Sequence, residues 1–177
     1  MKSTYIAWKS ILKYGLVLSL LFTVIVLGSY LIEPLMWTSD FPEEVQKKIG
    51  EIPQEVIPLG LTVFFLIIGI CIYFPVRMNN EIFSNHKDLK SYWNLLINGF
   101  LLLNFMNLWD VIVVDILIFD TFQPDFMMIK GAEEYIKEHV NAGFHFFAFL
   151  KGQPRLLGVA AIAAGISKLF KRKKKTN

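Results

Sequence analysis

The apolar run from Tyr92 to Phe122 contains polar side chains where lipid contact would demand none: Asn104, Asn107, Asp110 and Asp115. An ionisable group at membrane depth is costly, and it normally faces a protein interior or a water-filled cavity. A second polar set, His145, Lys151 and Arg155, stands within another apolar stretch, Phe144 to Phe170. These residue types suit complementary tasks. Arg155 and Lys151 could hold an anionic group, while Asp110 or Asp115 could bind a cation or exchange a proton. These seven residues form the candidate ligand-binding set.

The elements that must position them are expected to be helices. Apolar stretches at about 14–32, 57–76, 92–122 and 144–170 each approach or exceed the roughly 20 residues that a bilayer requires of a helix. The fourth reaches that length only if the interruption Lys151-Gly152-Gln153-Pro154-Arg155 is included. Gly152 and Pro154 predict a break or kink there, and unwound backbone at membrane depth would line a cavity or be buried in protein. Pro58 suits the first turn of the second span and Pro75 its end. At about 100° per residue, Asn104, Asn107, Asp110 and Asp115 fit within an arc of about 140° on the third helix, with Asn98 and Trp109 pointing elsewhere. Counting about 1.5 Å per residue brings Lys151 to the depth of Asp110 and Arg155 to that of Asn104 and Asn107.

The chain of 177 residues, 54% hydrophobic and only 19% charged, is expected to form one all-α domain. The expected architecture is a polytopic four-transmembrane-helix bundle with short amphipathic helices in its outer loops. Its mean hydropathy is +0.47. The net charge of +3 comes mostly from the tail at 171–177, with Lys171-Arg172-Lys173-Lys174-Lys175. Such a cluster after an apolar stretch suits a cytoplasmic flank touching anionic membrane lipid, not nucleic acid.

Basic and acid-rich flanks alternate along the chain. Lys2, Lys9 and Lys13 precede the first span, and Arg77, Lys87 and Lys90 dominate the loop after the second. Acids dominate the loops at 36–56 and 123–143. The positive-inside rule places both termini and the middle loop in the cytoplasm of a plasma-membrane protein. The first span has a basic start like a signal peptide, but Gly28-Ser29-Tyr30 is a poor cleavage site, so an uncleaved span is expected.

In the acid-rich loops, Ser39-Asp40-Phe41-Pro42-Glu43-Glu44 reads as a helix start, with Glu43/Lys47 and Glu44/Lys48 pairs and Gly50 as a stop. Ala132, Tyr135, Ile136, His139 and Val140 follow helical spacing in the other. Small residues recur every four positions at Gly15, Ser19 and Thr23, and at Ala161 and Gly165, a pattern that lets helices approach closely. Packing within one chain is the plainer expectation; a homo-oligomer interface is the sharper one.

Several chemistries are disfavoured. Cys71 is alone, so no dithiol chemistry is available within the chain. No Walker, GxGxxG or GxSxG motif occurs, and no cofactor is expected. HxxxH and ExxH spacings are missing. The five-residue spacing of Asp110, Asp115, Asp120 and Asp125 rotates around an α-helix, so no metal is expected. The leading expectation is a small membrane protein binding a polar or amphiphilic ligand, whether ion, small molecule or lipid headgroup, in an outward-facing pocket. One rival is a membrane enzyme acting on lipid, with Asp110 or His145 as acid/base. Another is an accessory subunit whose polar network only fixes helix register.

Overall fold

Apolar runs with few breakers make long helices here, and packing carries some of them past the prolines. The computed structural model describes residues 5–85 and 91–173. His86, Lys87 and Lys90 of the middle loop, and Lys174 and Lys175 of the tail, lie outside the described residues, as does Lys2. The fold is all-helical, with no strand among the described residues. The long helices are α1 (Trp8–Ile32), α3 (Val56–Asn85), α4 (Tyr92–Trp109) and α6 (Ala142–Lys173), and the short ones are α2 (Glu43–Ile49) and α5 (Glu133–His139). Tight 3-10 turns cover Pro34–Asp40 and Asp125–Met127. Among the described residues three segments are long and apolar enough to cross a membrane: Trp8–Ile32, Val56–Ser84 and Tyr92–Phe122.

The prolines do not act as punctuation. Pro75 lies inside α3 and Pro154 inside α6, both of which continue through them. The end expected at Pro75 and the break expected at Gly152–Pro154 are therefore absent. A proline removes one backbone donor and crowds one carbonyl, a cost that packing can offset. Beyond Pro75, Met78, Asn79, Ile82 and Phe83 are all buried, so α3 still has a face to cover.

The most consequential departure follows α4. From Asp110 to Phe122 the helix widens into π turns, with backbone bonds reaching five residues back instead of four. Its end is closed by Gln123, whose N–H donates to the Ile118 carbonyl at 3.0 Å with a left-handed φ of 46°. The run Val111-Ile112-Val113-Val114 is β-branched, and such side chains crowd the preceding turn of an α-helix. A wider turn relieves that crowding. Long π segments are rare, and shorter ones recur at functional sites.

The helices divide between two compact units. One takes in the described residues up to Leu20, Ile68–Asn107 and those from Gly152 onward; the other comprises Leu21–Ile67 and Leu108–Lys151. In the first unit, Asn98 is almost fully buried and ties the start of α1 to α4. Its Oδ1 accepts from the Ala7 N–H at 2.8 Å, and its Nδ2 donates to the carbonyls of Tyr5 and Asn94 at 2.9 and 2.7 Å. This anchor explains why α1 begins at Trp8 instead of near Tyr14.

Glu81 of α3 gathers Ser10, Lys13 and Tyr14 of α1, at 3.4, 2.9 and 2.6 Å. Asn79 is buried and donates to Ser167 of α6 at 3.4 Å. Gly15 lies against the Phe105 ring, where an added Cβ would stand 2.7 Å from Cδ1. On α6 the close-packed residues are Ala160, Ala163 and Ala164, all fully buried. A Cβ on Gly158 or Gly165 would meet nothing.

In the second unit, α2 packs on α5, burying Val45 and Ile136, with Lys48 Nζ 5.6 Å from the Tyr135 ring centre. Lys47 reaches Glu43 at 3.9 Å, and Gly50 ends α2 with φ 81°.

Candidate functional site

The π turns change which side chains share a face. Residues five apart rotate by about 140° in an α-helix, but they stack nearly above one another when the hydrogen bonds themselves step back five. Asp115 and Asp120 consequently point to the same neighbour, His145 near the start of α6. Its Nδ1 lies 3.2 Å from Asp115 Oδ2 and its Nε2 lies 3.2 Å from Asp120 Oδ1. The imidazole is buried, its side chain 10% exposed, and the two carboxylates are partly covered. Phe119 and Phe144 meet the ring edge-on, with centroids 6.2 and 5.5 Å away.

Hydrogen-bond chemistry constrains this trio. An ionised carboxylate only accepts, and a neutral imidazole donates from one nitrogen alone. Both bonds form together in two ways: an imidazolium between two carboxylates, or a neutral imidazole between a carboxylate and a carboxylic acid. In either case the trio holds two protons and carries one net negative charge. The acids address opposite nitrogens of the ring, so a metal ion on one nitrogen would be out of reach of the other acid.

The Asp115–His145 side of the trio borders a cavity of about 210 Å³, whose lining does not include Asp120. Asp110, Asp115 and His145 line it, joined by Asp40 from the turn after α1. Tyr30, Trp37, Phe41, Phe119 and Phe144 supply aromatic wall. The Tyr30 and Trp37 rings stack at 5.4 Å, and the Trp37 indole N–H donates to Ser29 Oγ at 2.9 Å, which fixes both rings. Tyr30 is only 8% exposed, yet its hydroxyl makes no hydrogen bond among the described residues. Asp40, Asp110 and Asp115 all lie within its electrostatic reach. The half-buried Asp110 carboxylate likewise has no hydrogen-bond partner among the described residues.

The structure brings together only part of the expected set. Asp110, Asp115 and His145 converge. Lys151 does not line the cavity: it is exposed, with Nζ 4.5 Å above the Phe147 ring. Arg155 is exposed and belongs to the other unit, as do Asn104 and Asn107. Asn104 donates to its own helix at the Phe100 carbonyl, 3.0 Å away, and the buried Asn107 Nδ2 has no partner among the described residues. An anionic group would therefore find no lysine or arginine on the cavity wall among the described residues.

Sequence reasoning missed Asp120, Asp40, Tyr30 and Trp37 as members of the site. The five-residue recurrence of aspartate was the available signal for Asp120, since it matches the period of a π turn. Nothing comparable marked Tyr30 or Trp37, whose place depends on how the chain turns after α1. Comparison with protein-family models, curated proteins and solved structures gives no match.

Proposed function

We propose that this chain is a four-span protein of the plasma membrane, with both termini cytoplasmic, that binds a small polar or amphiphilic ligand in an outward-facing pocket. The fourth span is α6. Its 32 residues extend for about 48 Å, ample for a hydrocarbon core of about 30 Å. Lys151 and Arg155 are long enough to carry their charges toward the headgroups. The acid-rich segments holding α2 and α5 then lie outside, where they act as short amphipathic caps, and basic flanks lie inside.

One observation carries the ligand reading: a cavity of about 210 Å³ whose wall includes a carboxylate, Asp110, and a hydroxyl, Tyr30, that make no hydrogen bond among the described residues. A purely structural network accounts for Asp115, His145 and Asp120, whereas Asp110 and Tyr30 stand on the cavity wall outside it.

The test is solvent access from outside. With Cys71 replaced by alanine, Ala148→Cys places a thiol on the cavity wall. A membrane-impermeant methanethiosulfonate added to intact cells is expected to modify it. Leu157→Cys, at an exposed apolar position of the same helix, should stay unmodified because lipid suppresses thiolate formation. An unreactive Ala148→Cys would remove the outward-open pocket.

A further inference from the structure

We infer that the cavity takes an organic cation: a substituted ammonium held among Asp40, Asp110 and Asp115, with a compact apolar body against Tyr30, Trp37 and Phe119. The inference rests on the pocket reading above and specifies its ligand.

Charge decides the class. The Asp115–His145–Asp120 trio carries one net negative charge in either protonation pattern, and Asp40 and Asp110 add to it when ionised. Among the described residues no lysine or arginine stands on the wall to balance the trio and Asp110. A monocation neutralises this field, whereas an anion would be repelled by every ionisable group except the imidazole, whose nitrogens are already engaged. The wall also explains why the cation should be organic. Hard metal ions prefer a shell of several oxygens, but most of this lining is aromatic or aliphatic. Tyrosine and tryptophan rings attract alkylammonium groups through their faces. The Tyr30 hydroxyl can accept a hydrogen bond from an N–H donor or turn a lone pair toward a quaternary group.

Size sets the upper limit. A cavity of about 210 Å³ is somewhat larger than the roughly 150 Å³ that holds benzene, so it suits an aryl or branched alkyl amine. The same ammonium chemistry could come from a free amine or from an aminolipid headgroup. The missing base for a phosphate favours the free amine.

The test compares probes of similar size on purified full-length protein in phosphatidylglycerol nanodiscs: benzyltrimethylammonium, neutral 3-phenylpropan-1-ol and anionic 3-phenylpropionate, by calorimetric titration. The cation should bind at least about tenfold more tightly than either other probe, which corresponds to about 1.4 kcal/mol. Asp110→Asn should weaken cation binding by about fivefold or more and leave the alcohol unchanged. Asp110 makes no internal hydrogen bond, so that variant should fold, and Tyr30→Phe provides a second reading with a smaller loss. Repeating the titration in phosphatidylethanolamine nanodiscs separates the sources. Weaker apparent binding there identifies a competing headgroup, and unchanged binding identifies a free amine. If the alcohol or the propionate binds as well as the cation, the pocket stands and the cation inference is overturned. If no probe binds, the pocket reading falls and the inference with it.

Discussion

His145→Leu is expected to cost about 2–3 kcal/mol of stability, read as a lowered unfolding midpoint in detergent. Removing one partner of a buried charged pair costs about 3–5 kcal/mol, because the remaining charge has lost its solvation. Here the cost is smaller, since the Asp115 and Asp120 side chains are 28% and 19% exposed and water compensates in part. Leucine would also leave two carboxylates on one stripe of the π turns with nothing between them. The diagnostic result is rescue. Asp115→Asn together with Asp120→Asn, added to His145→Leu, should recover about half of the loss, because the uncompensated charge is gone. Equal destabilisation of the triple variant would mean that His145 acts only through its volume.

Asn98→Leu should be comparably damaging, at about 2–3 kcal/mol, although it lies outside the candidate site. Leucine is close in size and is a better helix former, so a loss would come from hydrogen bonding. The side chain makes bonds of 2.8, 2.9 and 2.7 Å, and its removal strands the Ala7 N–H in a buried setting. A lost bond is worth about 1 kcal/mol and a stranded buried donor costs about 1–3 kcal/mol. Protection of the α1 amides nearest Ala7 from hydrogen exchange should fall most. Unchanged exchange there would show that α1 is anchored by other contacts.

The amino-acid sequence made the helical segments legible, because each is a long apolar run bounded by polar or breaking residues. Their limits were less legible. Pro75 and Pro154 read as an end and a break, yet burial of residues such as Met78 and Ala160 carries α3 and α6 onward. The acids of the third run stand out in the sequence, but their grouping there assumes the α-helical angle. That geometry groups Asp110 and Asp115 with Asn104 and Asn107 and sets Asp120 apart, whereas the π turns bring Asp115 and Asp120 onto His145. Local crowding by β-branched residues is visible in a sequence; whether a helix yields to it depends on the partner it gains. Asn98 was set aside as pointing away from the polar arc. Its role depends on where the backbone of Tyr5 and Ala7 lies, which no periodicity encodes. Asp40 and Tyr30 join the cavity through the turn at Pro34–Asp40, a tertiary fact beyond the reach of local pattern.

The acid-lined cavity is proposed to open to the outer solution. The most direct measurement of that opening is the rate at which Ala148→Cys, in intact cells, reacts with trimethylammonium-ethyl and sulfonate-ethyl methanethiosulfonates, each normalised to a free thiol. A negative field raises the local concentration of the cation and lowers that of the anion, so the ratio should exceed about ten. It should fall toward one when Asp110→Asn and Asp115→Asn are added. A ratio at or below one, or a thiol that neither reagent reaches, would contradict the account.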